Sequence, residues 1–213
     1  TSTLIAAGGS VKWAHATASL GNEIITCAAA CTLDLGTATV SAAGTVLYNT
    51  TGSTLKVTLG TTDGTLTGAG TVTGHTGNTF IPTIEGAIVS GEYLTIITGN
   101  ATQVIPGTIT ESYDRYTFTL VDGSHASCGT NNLCVVVTTV APTGVSANAL
   151  AVSAIADVAF LTDATMSTAL NNLSSAALDK ALVTLAPVVS GGAVVGAVSA
   201  GAASSATIST QMA

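Results

Sequence analysis

The chain has 213 residues, which is enough for one sizeable buried core without covalent cross-links. Charged residues make up only 7% of it, against roughly 25% in an average domain. Its 4 basic and 11 acidic residues give a net charge of -7, which excludes the basic surface that binding to nucleic acid or anionic lipid requires.

The hydrophobicity is spread thinly along the chain. The mean hydropathy is +0.61, but it comes from Ala and Val scattered among Thr, Ser and Gly. No window offers the roughly 18 to 20 bulky apolar residues that a membrane-spanning helix needs. So few charges predict a surface that is largely covered, by other copies of the protein or by another part of a longer chain. The chain also begins at Thr1 without a methionine, which indicates a processed product.

The N-terminal stretch up to Ile25, which holds the single tryptophan Trp13, is weakly patterned. The run SVKWAHATASLGNEIIT is compatible with a pair of strands or with a short helix, and the sequence does not choose between them. His15 has no carboxylate or cysteine at ligand spacing in this segment. We therefore expect a structural or exposed histidine rather than a metal ligand.

Four cysteines occur as two close pairs, Cys27 with Cys31 and Cys128 with Cys134. In a chain that looks exported, local disulfides are the first explanation, although four cysteines allow three pairings. The alternative is a zinc site that joins both pairs, with His125 as a further ligand. Neither spacing is the two-residue gap of a typical zinc knuckle, so closeness favours the two local disulfides.

Between residues 32 and 139, β-branched residues alternate with small ones, and Gly-containing turn signals recur every several residues. Segments such as STLKVTLG and GAIVSGEYLTIITGN each supply one or two short strands, so a mainly β domain is predicted. The strands can form a β-sandwich or the stacked rungs of a β-solenoid, and the short run TLGTTDGTLTGAGTVTGHTGN favours rungs. Residues 116–121 and 133–137 instead predict an antiparallel hairpin, whose loop Cys128 and Cys134 could close.

No catalytic, cofactor or metal site is predicted. GAGTVTG at residues 68–74 has the glycines of a phosphate-binding loop, but Thr and Val follow where such a loop would open a helix. Asp122, Ser124 and His125 are neighbours in one loop, whereas a catalytic triad normally joins distant segments. The carboxylates of this region stand apart from one another at turns or strand ends, where bonds to their own backbone or to water explain them. They are Asp63, Glu85, Glu92, Glu111, Asp114 and Asp122.

Three Asn-x-Ser/Thr sequons make Asn49, Asn100 and Asn172 candidate glycosylation sites. In a chain this rich in Thr and Ser, such sequons are also expected by chance. Bacterial export would leave them bare, whereas an archaeal or eukaryotic source would allow them to carry sugar.

After Pro142 the composition changes from Thr, Gly and Val to Ala, Ser and Leu, which predicts a β-rich domain at 1–141 and a helical segment at 142–213. Helices are predicted at residues 146–157, 163–173 and 175–185, and a further one at 192–210. Asp163 is a good N-cap, and Pro187 ends the third helix.

Six apolar residues of this segment are candidates for contacts between copies of the chain. Leu178, Leu182 and Leu185 fall near helical spacing, and Val194, Val195 and Val198 follow in the tail. Small residues recur in the tail at four-residue intervals, which permits close approach of another backbone.

Two motifs resemble the C-terminal part of a bacterial autotransporter passenger. GEYLTIITGNATQVIPGTITESYDRYTFTLVDG followed by NNLCVVVTT looks like the end of its β-helix. ALNNLSSAALDKALVTLAPVVSGGAVVGAVSAG is similar to the helical linker that precedes the outer-membrane barrel. Together they cover the chain from about Gly91 to Ala213. The resemblance implies a surface-displayed β-solenoid with a stabilising cap.

These observations predict a non-enzymatic extracellular structural protein that associates with copies of itself, through strand pairing at sheet edges and burial of the apolar tail. No cofactor, nucleic acid or bilayer-spanning segment is expected. Two other classes stay open. One is a monomeric adhesin module that binds host glycan or protein, and the other is a hydrolase passenger whose residues converge only in the folded chain.

Overall fold

The computed structural model describes residues 3–22, 24–68, 72–99, 104–111, 113–160 and 163–185. Within these residues the chain forms a β-solenoid, in which three sheets of mainly parallel strands surround one core, followed by three helices. The prediction of a mainly β fold with a helical C-terminal segment is confirmed. Of the two β architectures left open by the sequence, the solenoid is the one observed.

The strands of successive coils stack to build the three sheets. The first sheet contains β1 (Thr3–Ala7), β4 (Ile24–Ala29), β7 (Val46–Leu47) and β10 (Val72–Thr73). The second contains β2 (Ser10–Lys12), β5 (Thr32–Asp34), β8 (Thr54–Gly60), β11 (Thr79–Glu85) and β13 (Thr108–Ile109). The third contains β3 (Thr17–Ser19), β6 (Thr39–Ala42), β9 (Thr65–Gly68), β12 (Tyr93–Thr98), β15 (Asn132–Thr139) and β14 (Tyr116–Asp122).

The register of the sheets fixes the length of a coil. Thr3 pairs with Ile24, Ser10 with Thr32 and Thr17 with Thr39, so the first coil runs from Thr3 to the residue before Ile24. The N-terminal stretch up to Ile25, for which strands and a helix were both compatible with the sequence, therefore contains strands β1 to β3 and the start of β4.

Alternating side chains explain why these segments form rungs. In β8 the inward residues Leu55, Val57 and Leu59 are no more than 1% exposed, while the Thr and Lys residues between them face outward. Parallel register stacks each inward residue on its equivalent in the next coil, as Leu33, Leu55 and Phe80 show. The result is one continuous apolar core along the solenoid.

An antiparallel hairpin ends the solenoid. β14 and β15 pair along their length, and β15 also pairs antiparallel with β12 of the last full coil. This confirms the hairpin predicted from residues 116–121 and 133–137. The inward-facing residues Phe118, Leu120 and Val135 join the solenoid core, so the hairpin covers its C-terminal end.

The helices are α1 (Ala147–Phe160), α2 (Ala164–Asn171) and α3 (Ser175–Leu185). They match the three helices predicted within the described residues, and the fourth, at 192–210, lies outside those residues. The Asp163 carboxylate caps α2 as predicted, because it accepts a hydrogen bond of 3.0 Å from the Met166 N–H. Ala149, Leu178 and Leu182 form a small core between α1 and α3, separate from that of the solenoid.

Candidate functional site

Both cysteine pairs form disulfides, and the predicted local pairing is confirmed. The Cα atoms are 5.6 Å apart in Cys27–Cys31 and 5.7 Å apart in Cys128–Cys134. The first bond lies at the corner between β4 and β5, and the second closes the loop of the β14–β15 hairpin. The zinc alternative needs thiolate ligands, and the four sulfurs are instead used in these bonds.

Hydrogen bonds fasten the corner that holds Cys27 and Cys31 to the next two coils. The Thr50 hydroxyl donates to the Cys27 carbonyl at 2.6 Å, and the Cys31 N–H donates to the Ser53 hydroxyl at 3.3 Å. One coil further, the Asn78 amide donates to the Tyr48 carbonyl at 2.6 Å. Burial raises the pKa of Tyr48, which keeps its phenol neutral inside the core. These hydrogen bonds hold the corners of successive coils together.

The loop from Asp122 to Cys128 does not bring together a catalytic relay. The Ser124 hydroxyl and the Ser124 N–H both donate to the Asp122 carboxylate, and these bonds lower the pKa of Asp122. The His125 ring stacks on Tyr93 with the ring centroids 4.9 Å apart, and its Nε2 lies 3.2 Å from the Tyr93 hydroxyl. Asp122 and Ser124 thus form a local turn, while the imidazole faces the aromatic ring.

A cleft lies where α2 crosses the corner between the second and third sheets. It has a volume of about 680 Å³ and runs from Ala16 and Thr37 in the first coils to Glu85 near the last. Most of the described residues that line it are Thr or Ala, and Glu85 is the ionisable one among those described. Among the described residues that line the cleft, no base is paired with a nucleophile.

A network of buried polar groups holds α2 in this position. The Ser167 hydroxyl and the Asn171 amide both donate to the Gly86 carbonyl, at 2.6 and 3.3 Å. The Gly86 N–H in turn donates to the Thr168 hydroxyl at 2.7 Å, and the Tyr116 hydroxyl donates to the side-chain oxygen of Asn171 at 3.0 Å. Burial raises the pKa of Tyr116, so this hydroxyl remains a donor.

The sequence does not reveal this network, because Ser, Thr and Asn are common throughout the chain. In the sequence, Asn171 is distinguished only by its position directly before the sequon that begins at Asn172. The one available signal is Gly86, since a glycine directly after a long strand indicates a tight turn or a close approach of other backbone.

The candidate glycosylation sites lie in different environments. Asn49 is exposed in the turn after β7, next to the corner that holds Cys27 and Cys31. Asn172 is exposed at the C-terminal cap of α2, where its amide donates to the Thr168 carbonyl at 2.8 Å. Asn100 lies outside the described residues.

The candidate assembly residues of α3 are divided between the interior and the surface. Leu178 and Leu182 are 1% and 0% exposed, because α1 covers them, so these side chains serve the packing of the helices within one chain. Leu185 is 45% exposed at the end of α3. Val194, Val195 and Val198 lie outside the described residues.

Within the described ranges, the structure places no group of three or more His, Cys, Asp or Glu side chains where they could hold a metal ion. No helix in the described part of the chain is both long and apolar enough to cross a membrane. No protein-family model matches the chain, and neither a curated protein nor a solved structure shows significant similarity to it.

Proposed function

We propose that this chain is a non-enzymatic extracellular structural protein that associates with copies of itself into a surface layer or filament. The observation that carries the proposal is the outer face of the third sheet. On the third sheet, the outward residues of three successive coils are all Ser or Thr: Thr17, Ser19, Thr39, Ser41, Thr65 and Thr67. This face of the third sheet carries no charged side chain on these three coils, so two copies that meet there face no like-charge repulsion from it.

Two further observations support an extracellular location and the resemblance to autotransporter passengers. Disulfides persist mainly in oxidising compartments, and this chain has two. The order of elements, a parallel solenoid followed by an antiparallel hairpin and then by helices, is the order that the resemblance implies.

The cleft beneath α2 favours a second candidate function, that of an adhesin module. Its Thr hydroxyls and the Glu85 carboxylate suit a polyhydroxylated ligand such as a glycan. The described residues that line the cleft include no aromatic side chain on which a sugar could stack, and this makes self-association the better supported proposal.

Light scattering coupled to size exclusion, together with electron microscopy under native conditions, tests the proposed function. We expect the disulfide-bonded chain to form oligomers or ordered polymers that grow with concentration. A chain that remains monomeric at every concentration would contradict self-association. Binding of that monomer to a glycan array, abolished by Thr165→Trp in the cleft, would then establish the adhesin function.

A further inference from the structure

The helices are attached to the solenoid at two places of different chemistry. Uncharged groups hold α2, since the Ser167 hydroxyl and the Asn171 amide donate to the Gly86 carbonyl. A carboxylate holds α3 instead, because the Asp114 side chain just before β14 accepts a hydrogen bond from the Ser175 hydroxyl at the start of α3. Acid can therefore act on this attachment of α3 but not on that of α2.

A second carboxylate joins α3 to α1. Asp179 in α3 accepts a hydrogen bond of 2.7 Å from the N–H of Ser146, the residue directly before α1, and another from the Ser146 hydroxyl. The same hydroxyl accepts from the Ala149 N–H at 3.3 Å, so it also caps the first turn of α1. The bonds from Ser146 lower the pKa of Asp179, because a charged carboxylate is the stronger acceptor.

The apolar core that the helices share is small. Among the described residues, its buried members are Ala149, Leu170, Leu178 and Leu182. The core of the solenoid, in contrast, is continuous through all of the coils. In so small a core, two hydrogen bonds to charged carboxylates are a large share of what keeps α3 closed, since each is stronger than a bond between neutral groups.

The carboxylates of the solenoid make a different kind of bond. Asp34 and Asp122 each accept from an N–H two residues further along their own turn, and Asp63 accepts from the Gly60 N–H at the same corner. Burial raises the pKa of Asp63, so protonation of this carboxyl in acid does not oppose folding. These bonds stay within one turn, whereas backbone bonds and the apolar core join one coil to the next.

We infer that Asp114 and Asp179 form an acid latch, which holds α3 against the solenoid and against α1 while both carboxylates are ionised and opens when they are protonated. α2 and the coils stay in place, because their bonds do not depend on these two groups. Since the pKa of Asp179 in the folded chain lies below its ordinary value, its contribution to stability is complete above about pH 4 and is lost as the pH falls below that value. The latch does not depend on self-association, because both bonds lie within one chain.

Other charged and titratable groups adjoin the acid latch. The basic and phenolic residues next to it in the sequence keep their charge state between about pH 3 and pH 7. They are Tyr113, Arg115, Tyr116 and Lys180. On α1 the ionisable residue is Asp157, whose side chain lies outside the described part of the chain. Among the described side chains at these two contacts, the latch carboxylates are therefore the groups that change charge in acid.

Asparagine substitutions in the full chain test the acid latch, because asparagine keeps a side-chain oxygen as acceptor but does not titrate. Hydrogen exchange at pH 7 and pH 3, corrected for the pH dependence of exchange in unfolded peptides, measures the protection of each element. In the intact chain we expect the protection of α1 and α3 to fall by roughly tenfold or more in acid, and that of α2 and β8 to change by less than roughly threefold. With Asp114→Asn and Asp179→Asn together, α1 and α3 should lose this dependence on pH.

Asp34→Asn is the matched control, since it makes the same change in a turn of the solenoid, and it should keep the acid response of the intact chain. Low protection of α1 and α3 in the double variant already at pH 7, with α2 and β8 still protected, would also support the latch, because it would mean that the ionised carboxylates are required. Unchanged protection of α3 in the intact chain at pH 3 would overturn the inference, as would an equal loss in α2 and β8. An undiminished acid response in the double variant would overturn it too, because other groups would then open the helices.

Discussion

Two glycines with nearly the same backbone conformation serve different purposes. Gly86 has φ +87° and Gly91 has φ +83°, a region that L side chains rarely adopt. A Cβ at Gly86 would overlap the Thr61 hydroxyl, whereas nothing lies within 4 Å of a Cβ at Gly91. Gly86 is also the residue whose N–H and carbonyl anchor α2. A comparison of the two positions therefore separates the cost of a strained backbone from the cost of a clash with a neighbouring residue.

Alanine at each position should show this difference. We expect Gly91→Ala to cost about 1 kcal/mol of unfolding free energy from the positive φ alone. Gly86→Ala should cost about 2 kcal/mol more, because it also displaces Thr61 and disturbs buried hydrogen bonds. Urea unfolding followed by circular dichroism measures both. Equal losses would mean that Thr61 moves aside freely and that α2 docks without help from this turn.

At the scale of elements, polar contacts attach α2 to the solenoid. Asn171 is 5% exposed and bonds to Gly86, Ser167 and Tyr116, so three groups depend on one amide. The next residue, Asn172, is exposed, and its amide donates to the Thr168 carbonyl within the same helix. Asn171 and Asn172 can therefore be compared directly, because Asn171 attaches α2 to the solenoid whereas Asn172 bonds only to the end of α2.

Replacement of Asn171 should loosen α2 without unwinding the coils. Asn171→Ala leaves the buried Tyr116 hydroxyl without its acceptor, and we expect it to cost about 1 to 3 kcal/mol. Asn172→Ala should change stability by no more than about 0.5 kcal/mol. Hydrogen exchange resolves where the loss falls: α2 amides should exchange faster in the first variant, with β8 amides unchanged. Loss of protection throughout β8 would show that α2 supports the solenoid itself.

The elements that the sequence predicts well are those long enough to show a period. The alternation in STLKVTLG spans the whole of β8, and the hairpin of β14 and β15 follows from two long β-branched runs. β2 and β3 have three residues each, too few to carry a period, and they are strands because β5 and β6 offer them partners. The spacing of Leu178 and Leu182 indicates that one face of a helix is covered. It does not indicate that α1 is the helix that covers it, because that depends on tertiary packing.

At the scale of the whole molecule, the shortage of charge should determine how copies respond to salt. Only 4 basic and 11 acidic residues are available for ionic contacts. Assembly driven by backbone pairing and apolar burial leaves only the repulsion between copies of net charge -7 for salt to screen.

We therefore expect the concentration at which assembly begins to change by less than about threefold between low and physiological salt, over which the Debye length falls from roughly 30 to 8 Å. Static light scattering across a salt series measures this concentration. A steep decrease of assembly with added salt would show that the few charged groups, rather than strand pairing and apolar burial, hold the copies together.

The two disulfides differ from most cross-links in how little chain they enclose. They join residues 4 and 6 positions apart, and each is much shorter than a full coil of the solenoid. Neither bridge spans from one rung to another, so neither dictates the sequence in which the rungs are laid down. Each bridge therefore constrains one corner or one loop rather than the stacking of one coil on the next, and its cysteines, at most 3% exposed, are shielded from a reductant in the folded chain.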